Sequence, residues 1–336
     1  MPSPEKKPLA LTCGEPAGIA PEITAKAWAG LRHDAAAAFF LIGDGDYFAA
    51  RAKAAGLDLP LAAIAHPAEA VRVLATALPV LHRPLPVPPA AGQWRKENAP
   101  AVMASIAEAV TLAMAGEAAG LVTNPIQKEA LYAAGFPFQG HTDYLAHLAR
   151  ASGFVGDEVM MLVAQDLRAV PVTVHIALKD VMAALTSARI VAQARVVARD
   201  LRERFGIARP RLAVTGLNPH AGENGAMGTE EQTVIAPAIA TLRAEGLTVL
   251  GPLPADTAFH AEARATYDAI LCMYHDQALI PVKTLGFHGG VNVTLGLPFI
   301  RTSPDHGTAL AIAGTGAANP ASLMAALKLA HSLAAR

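Results

Sequence analysis

Three histidines stand just beyond short apolar runs of β character. His175 follows Ala169–Val174, His220 lies in Gly216-Leu-Asn-Pro-His-Ala-Gly-Glu-Asn-Gly225 after Arg211–Thr215, and His275 opens His-Asp-Gln after Ala269–Met273. Neutral imidazole nitrogens suit zinc, cobalt or nickel and leave coordination positions open for a substrate. Their spacing carries no motif; the shared strand-end context does, because ligands of open α/β sheets gather outside the carboxyl ends of the strands. A histidine in that place also serves as a local cap or hydrogen-bond partner, and that alternative stays open. Asp276, beside His275, is a further ligand, an orienting carboxylate or a solvated surface group.

Two other stretches suit anion binding. His141-Thr142-Asp143 sits between Gly140 and a helical pattern, where a hydroxyl and free backbone N–H groups can hold an anion or simply cap the helix. Lys283 and Arg301 flank an apolar, glycine-rich segment that includes Asn292. Buried cations need partners, and a phosphate or carboxylate would supply them unless both chains reach solvent. Loop Gly14–Pro21, after the first strand, is either a backbone contact for ligand or a rigid connector.

Elements that position these groups alternate along the chain. Strands are expected at Leu9–Cys13, Phe39–Ile42, Gly120–Thr123, Val159–Val163, Ala169–Val174, Arg211–Thr215, Ala269–Met273 and Gly290–Leu295. Helices are expected at Glu22–Leu31, Asp46–Ala55, Ala101–Ala115, Gln127–Ala134, Asp143–Ser152, Ala188–Phe205, Glu230–Glu245 and Ala321–Ala334. Within Ala188–Phe205, the residues Ile190, Ala194, Val197, Leu201 and Phe205 form a core-facing stripe. This alternation predicts α/β layers with mainly parallel pairing. Pro79–Gly92 holds five prolines and reads as a loop or a crossing between lobes.

Composition narrows the classes further. The 336 residues are 53% apolar and 16% charged, which excludes disorder and favours two domains or one large one. A formal charge of -1, with no basic block, argues against a nucleic-acid binder. The uncharged stretches Thr284–Ile300 and His306–Leu327 are broken by Gly, Pro, Asn and His, unlike a membrane span. Lys6 and Lys7 precede only a short apolar run ending at Gly14, so no secretory leader is expected. Cys13 and Cys272 exclude a disulfide framework, and a cytoplasmic address is the expectation. Gly43-Asp-Gly45 and Gly314-Thr-Gly316 do not continue into a dinucleotide fingerprint, and there is no Gly-Lys-Ser/Thr phosphate loop.

Longer motifs make the chain recognisable. Gly14-Glu-Pro-Ala-Gly-Ile-Ala-Pro-Glu22, Gly140-His-Thr142, Gly216-Leu-Asn-Pro-His-Ala-Gly-Glu223, Met227-Gly-Thr-Glu-Glu231, Gly251-Pro-Leu-Pro-Ala-Asp-Thr257, Met273-Tyr-His-Asp-Gln277 and Gly290-Val-Asn-Val-Thr-Leu-Gly-Leu-Pro-Phe-Ile-Arg-Thr302 resemble the 4-hydroxythreonine-4-phosphate dehydrogenase family of pyridoxal phosphate biosynthesis. Ala20, and His288-Gly289 in place of a common Gly-Arg pair, depart from the family pattern.

The resemblance implies an oxidoreductase that uses NAD or NADP. It would convert 4-phosphooxy-L-threonine to 2-amino-3-oxo-4-phosphooxybutanoate, which decarboxylates to 3-amino-2-oxopropyl phosphate. It implies a homodimer with a divalent metal (zinc, cobalt, nickel, magnesium or manganese) near the interface, held at His175, His220 and His275. His141, Thr142, Lys283, Asn292 and Arg301 fall on substrate-contact positions, and His141, Asp256 and Lys283 are candidate bases. The implied fold is two α/β/α lobes with a cleft between them, like isocitrate and isopropylmalate dehydrogenases, without a Rossmann cofactor site. The expected division is 1–130 plus 285–336, and 131–284. Alternative activities are dehydrogenation of threonate or erythronate 4-phosphate or of an aromatic cis-dihydrodiol, metal-dependent phosphate hydrolysis, and non-catalytic sensing of a phosphorylated ligand.

Overall fold

A computed structural model describes residues 7–34 and 37–335; Lys6, part of the leader reading above, lies outside them. In chain order the first elements are β1 (Leu9–Thr12), α1 (Ala20–Leu31), β2 (Phe39–Gly43), α2 (Gly45–Ala54), β3 (Leu61–Ala63), α3 (Ala70–Val73), β4 (Leu78–His82), α4 (Ala99–Met114), β5 (Leu121–Val122), α5 (Lys128–Ala133) and α6 (His141–Ala151). Next come β6 (Val159–Ala164), β7 (Leu167–Pro171), α7 (Val181–Ala184), α8 (Ser187–Glu203), β8 (Arg211–Thr215), α9 (Ala236–Ala244), β9 (Thr248–Leu253), α10 (Ala261–Arg264), β10 (Ala269–Cys272), α11 (His275–Gly286) and β11 (Val291–Leu295). The chain closes with β12 (Arg301–Pro304) and α12 (Ala321–Ala334).

These elements form two compact α/β units, 7–155 with 297–335, and 156–296. The boundaries expected at 130/131 and 284/285 are displaced. Helix α6 packs on α4, which keeps it in the first unit, and β11 pairs antiparallel with β6, which keeps residues up to 296 in the second.

In the first unit the strand order is β3-β4-β2-β1-β5-β12, and every pairing is parallel. β1 and β2 are buried along their whole length. Their sequences, Leu-Ala-Leu-Thr and Phe-Phe-Leu-Ile-Gly, are the continuous apolar runs that a parallel sheet covered on both faces requires. Pro79–Gly92 proves to be internal to this unit rather than a crossing, and its first residues belong to β4. Pro79 is tolerated there because pairing with β2 begins at Val80, so its missing N–H removes no rung on that side.

The second unit has the order β11-β6-β7-β10-β8-β9. Its β11/β6 and β6/β7 pairs are antiparallel, whereas β7, β10, β8 and β9 run parallel. Ile190, Ala194, Val197 and Leu201 of α8 are fully buried, as their helical spacing predicts. Leu162, Ala169, Ala213, Ile270 and Val282 join one core cluster beneath α11. Among the described residues no single helix is long and apolar enough to cross a membrane.

The loop after β1 carries a titration with a definite sign. Gly14 has φ +62°, and a Cβ there would lie 2.6 Å from the Asn124 Cβ, so only glycine fits. The next side chain, Glu15, is 4% exposed; its Oε1 accepts a 2.9 Å bond from the Ala17 N–H. Burial pushes its pKa up to about 7, with the Ala17 hydrogen bond acting the other way. The fold therefore favours the neutral acid, a contribution fully present below the ordinary carboxylate pKa and lost as pH rises through about 7. Urea unfolding of the wild type should lose up to about 3 kcal/mol from this group between acid and mildly alkaline pH. Glu15→Gln, which keeps the acceptor oxygen, should flatten that slope; an unchanged slope would rule Glu15 out as its source.

Candidate metal centre and anion site

The topology of the second unit sets three strand ends side by side. β10 pairs in parallel with β7 on one side and β8 on the other, so the segments leading to His175, His275 and His220 leave the same edge of the sheet. Buried hydrogen bonds lock these ends together. The Thr173 hydroxyl donates to the Met273 carbonyl at 2.8 Å, and the Thr215 hydroxyl donates to Gln277 Oε1 at 2.7 Å. Gln277 Oε1 also accepts from the Met273 N–H at 2.7 Å, while its Nε2 donates to the Gly216 carbonyl at 2.8 Å.

His175 and His275 meet at 5.9 Å between ring centroids and line one cavity of ~270 Å³ with Thr173, Tyr274 and Asp276. His275 is the first residue of α11, and its Nδ1 lies 2.7 Å from Asp276 Oδ1. With Nδ1–H donating to that carboxylate, Nε2 keeps its lone pair for a ligand, the orienting role expected of an outer carboxylate.

His175 has φ +51°, and His220 opens a run of left-handed residues through Asn224 with φ of 52, 51, 78, 42 and 56°. Left-handed backbone costs a non-glycine residue roughly 1 kcal/mol or more, and such strain collects at functional sites. The donor chemistry fits a divalent ion, but within one chain the fit is partial. Among the described residues, the group of three whose ligand atoms all lie within 4.8 Å of one another is Asp44, Asp46 and His82, not the three strand-end histidines. Asp44 is otherwise engaged: its Oδ1 accepts from the Tyr47 N–H and its Oδ2 from the Leu85 N–H, both at 2.9 Å, as the cap of α2.

The first unit holds a cationic cluster. Arg301 begins β12, is 2% exposed, and donates to the Thr123 hydroxyl through Nη2 at 2.7 Å and Nε at 3.2 Å. Burial pulls its pKa down to about 9, so it remains a cation at neutral pH. His141 begins α6, and its buried Nε2 has no hydrogen-bond partner. Burial first, then the charges of Arg301 and Lys128, holds its pKa well below the usual imidazole range, so this ring is neutral. Thr142 is half-buried in the same first turn. Two cations around an orphaned ring nitrogen describe a place for an anion.

The remaining expected residues lie in the second unit. Lys283 is half-buried near the end of α11, its Nζ 5.6 Å from the centroid of the Phe287 ring. Asn292, on β11, leaves its buried Oδ1 without a partner. Asp256 lines a second cavity, ~340 Å³ and mostly apolar, with Phe259, Tyr274, Asp276 and Ile280. Lys128 and Gln277 were not singled out from sequence. The first stands at the start of α5, where a lysine reads as an ordinary solvated side chain; the second is a neutral side chain whose role depends on contacts 61 and 62 residues away.

Fold and site together define a two-unit α/β protein with histidines gathered at the carboxyl ends of adjacent parallel strands, where such sheets bind ligands, and a separate cationic cluster. The family model described as "Pyridoxal phosphate biosynthetic protein PdxA" matches residues 35–330. The chain is 55% identical to a 4-hydroxythreonine-4-phosphate dehydrogenase of Bradyrhizobium diazoefficiens, over 98% of this chain and 97% of that one. A solved 4-hydroxythreonine-4-phosphate dehydrogenase from Klebsiella pneumoniae superimposes with TM-score 0.86 at 40% identity, covering 98% of this chain and 99% of the other. A terephthalate 1,2-cis-dihydrodiol dehydrogenase from Burkholderia xenovorans is more distant, with TM-score 0.63 and 28% identity over 97% and 98% of the two chains. The chain belongs to the PdxA family of pyridoxal phosphate biosynthesis.

Proposed function

We propose that the chain oxidises 4-hydroxythreonine 4-phosphate at its C3 hydroxyl, with a hydride passing to NAD or NADP. The product, 2-amino-3-oxo-4-phosphooxybutanoate, then loses carbon dioxide to give 3-amino-2-oxopropyl phosphate. What supports this most is the 55% identity, along nearly the whole chain, to a relative named for that dehydrogenation. The 28% identity to a cis-dihydrodiol dehydrogenase makes that alternative the weaker one.

His175, His220 and His275 are assigned to a divalent ion, and Asp276 to orienting His275. When bound, such an ion supplies Lewis acidity, lowering the pKa of the substrate hydroxyl and stabilising the negative charge left as carbon dioxide departs. Arg301, Thr142 and neutral His141 are assigned to the anionic substrate ends, and Asn292, whose buried Oδ1 accepts, to the substrate's ammonium group. Fixing those ends orders C3 for reaction, and positioning of this kind accounts for several kcal/mol of barrier. Removal of the hydroxyl proton is assigned to Lys283 or Asp256, because burial, and then the charges of Arg301 and Lys128, hold the His141 pKa low and make it a poor base. A homodimer belongs to the same reading. It is supported by the incomplete convergence of the three rings within one chain and by the exposed Ile176, Leu178 and Met182 beside the His175 segment. A cytoplasmic address is supported by two buried, free cysteines.

The test is an absorbance assay at the reduced-nicotinamide band, with 4-hydroxythreonine 4-phosphate, threonate 4-phosphate and erythronate 4-phosphate, each with and without chelator. Reduction of NAD or NADP fastest with the first, and abolished by chelator, is the expected result. Faster turnover of a sugar-acid phosphate, or release of orthophosphate without nucleotide, would replace this reading with a rival.

A further inference from the structure

The loop that carries His220 is built around a carboxylate outside the expected site. Glu231 is 4% exposed and begins one π-helical turn, Glu231–Ile235. Its Oε1 accepts from the Leu217 and Asn218 N–H groups, both at 2.8 Å, and its Oε2 accepts from Asn218 Nδ2 at 3.0 Å. A Cβ built on Gly222, in the middle of the left-handed run, would lie 2.5 Å from Glu231 Oε2. The strained backbone is therefore laid directly against the carboxylate. The Ala221 N–H donates to the Asn218 carbonyl and the Met227 N–H to the Gly222 carbonyl, closing the turn around the same hub. Consecutive left-handed residues do not hold themselves; the surroundings must over-determine them.

We propose that Glu231 is the positioning residue for His220, holding the Gly216–Gly225 loop in its left-handed form so that the imidazole is presented to the metal. The inference rests on the metal reading above. Glu231 does not itself contact the ion. Its carboxylate gathers two main-chain N–H groups and one side-chain amide, and that fixes the backbone from which the ring projects. Outer groups that orient a ligand are worth roughly 10- to 100-fold in metal affinity. Glu231→Gln keeps the shape and one acceptor oxygen but sets an NH₂ group against Asn218 Nδ2 and Gly222.

The experiment is equilibrium binding of Co²⁺ alone to the full chain, read by competition with a chelating dye and by the cobalt visible spectrum. It compares wild type, His220→Ala, Glu231→Gln and Asn218→Ala. Glu231→Gln should weaken Co²⁺ binding by roughly 10- to 100-fold and alter the visible band, while KM for the phosphorylated substrate at saturating Co²⁺ moves less than about threefold. Asn218→Ala, which removes the amide shared by Glu230 and Glu231, should shift affinity in the same direction and carries the test if Glu231→Gln does not fold. Co²⁺ affinity within about twofold of wild type in a folded Glu231→Gln or Asn218→Ala protein, while His220→Ala has lost it, overturns this inference alone. Equal binding by wild type and His220→Ala overturns the metal reading together with it.

Discussion

His220→Ala should leave a cooperatively folded protein that retains no divalent ion after dialysis and turns over at least about a thousandfold more slowly than wild type. The magnitude follows from Lewis-acid stabilisation worth several kcal/mol, at about 1.4 kcal/mol per tenfold in rate. The backbone at this position separates a functional from a structural role. His220 sits at φ +52°, where glycine is relieved of a penalty of roughly 1 kcal/mol that both His and Ala bear. His220→Gly should therefore unfold at a urea concentration equal to or above that of wild type while being equally inactive. A histidine retained for loop stability would give the opposite order. Full activity in a metal-free His220→Ala preparation would remove His220 from the ligand set.

Arg301→Ala should raise KM for the phosphorylated substrate by roughly 30- to 1000-fold, with a smaller effect on kcat. That range corresponds to about 2–4 kcal/mol, the cost of removing one side of a desolvated, charge-assisted contact. The same burial that makes this cation useful to a bound anion makes it costly in the unliganded protein, as the downward pull on its pKa records. Arg301→Met should accordingly melt at a higher temperature than wild type without substrate, and substrate should raise its melting temperature less. Unchanged kinetics at every substrate concentration would show that Arg301 does not meet the anion.

The strand-end histidines were legible because a parallel strand announces itself twice, by an unbroken apolar run and by the polar cluster that must follow it. β8 appears where Arg211–Thr215 predicted it, and β10 differs from its expected run by one residue. Helix α11 was not anticipated, since Pro281 inside it and the glycines after it carry the composition of a loop; tertiary packing of Ala278 and Val282 overrides that local preference. The expected helix Glu230–Glu245 divides into a π-helical turn and α9, a distinction that hydrophobic periodicity does not encode. Strands β3, β4, β9 and β12 carry no clear strand signature in the sequence: β3 is three residues long, β4 contains Pro79, β9 contains Gly251-Pro252, and β12 is the polar run Arg-Thr-Ser-Pro. Glu231 reads as an ordinary helix-start acid until the main-chain N–H groups it binds are seen, and those belong to residues 13 and 14 positions earlier.

The discontinuity of the first unit bears on how the polypeptide matures as it is synthesised. Strand β12 pairs with β5, and α12 packs on β12 and α1, so the last forty or so residues complete a sheet begun near the start of the chain. Strands β6 to β10 find all their strand partners within residues 156–296, so that segment can pair its strands as it emerges from the ribosome, whereas the earlier segment must wait with one side of β5 unpaired. Nascent chains stalled before residue 301 should therefore be protected from protease in the later-made unit first, while the earlier-made one stays open until its closing strand arrives.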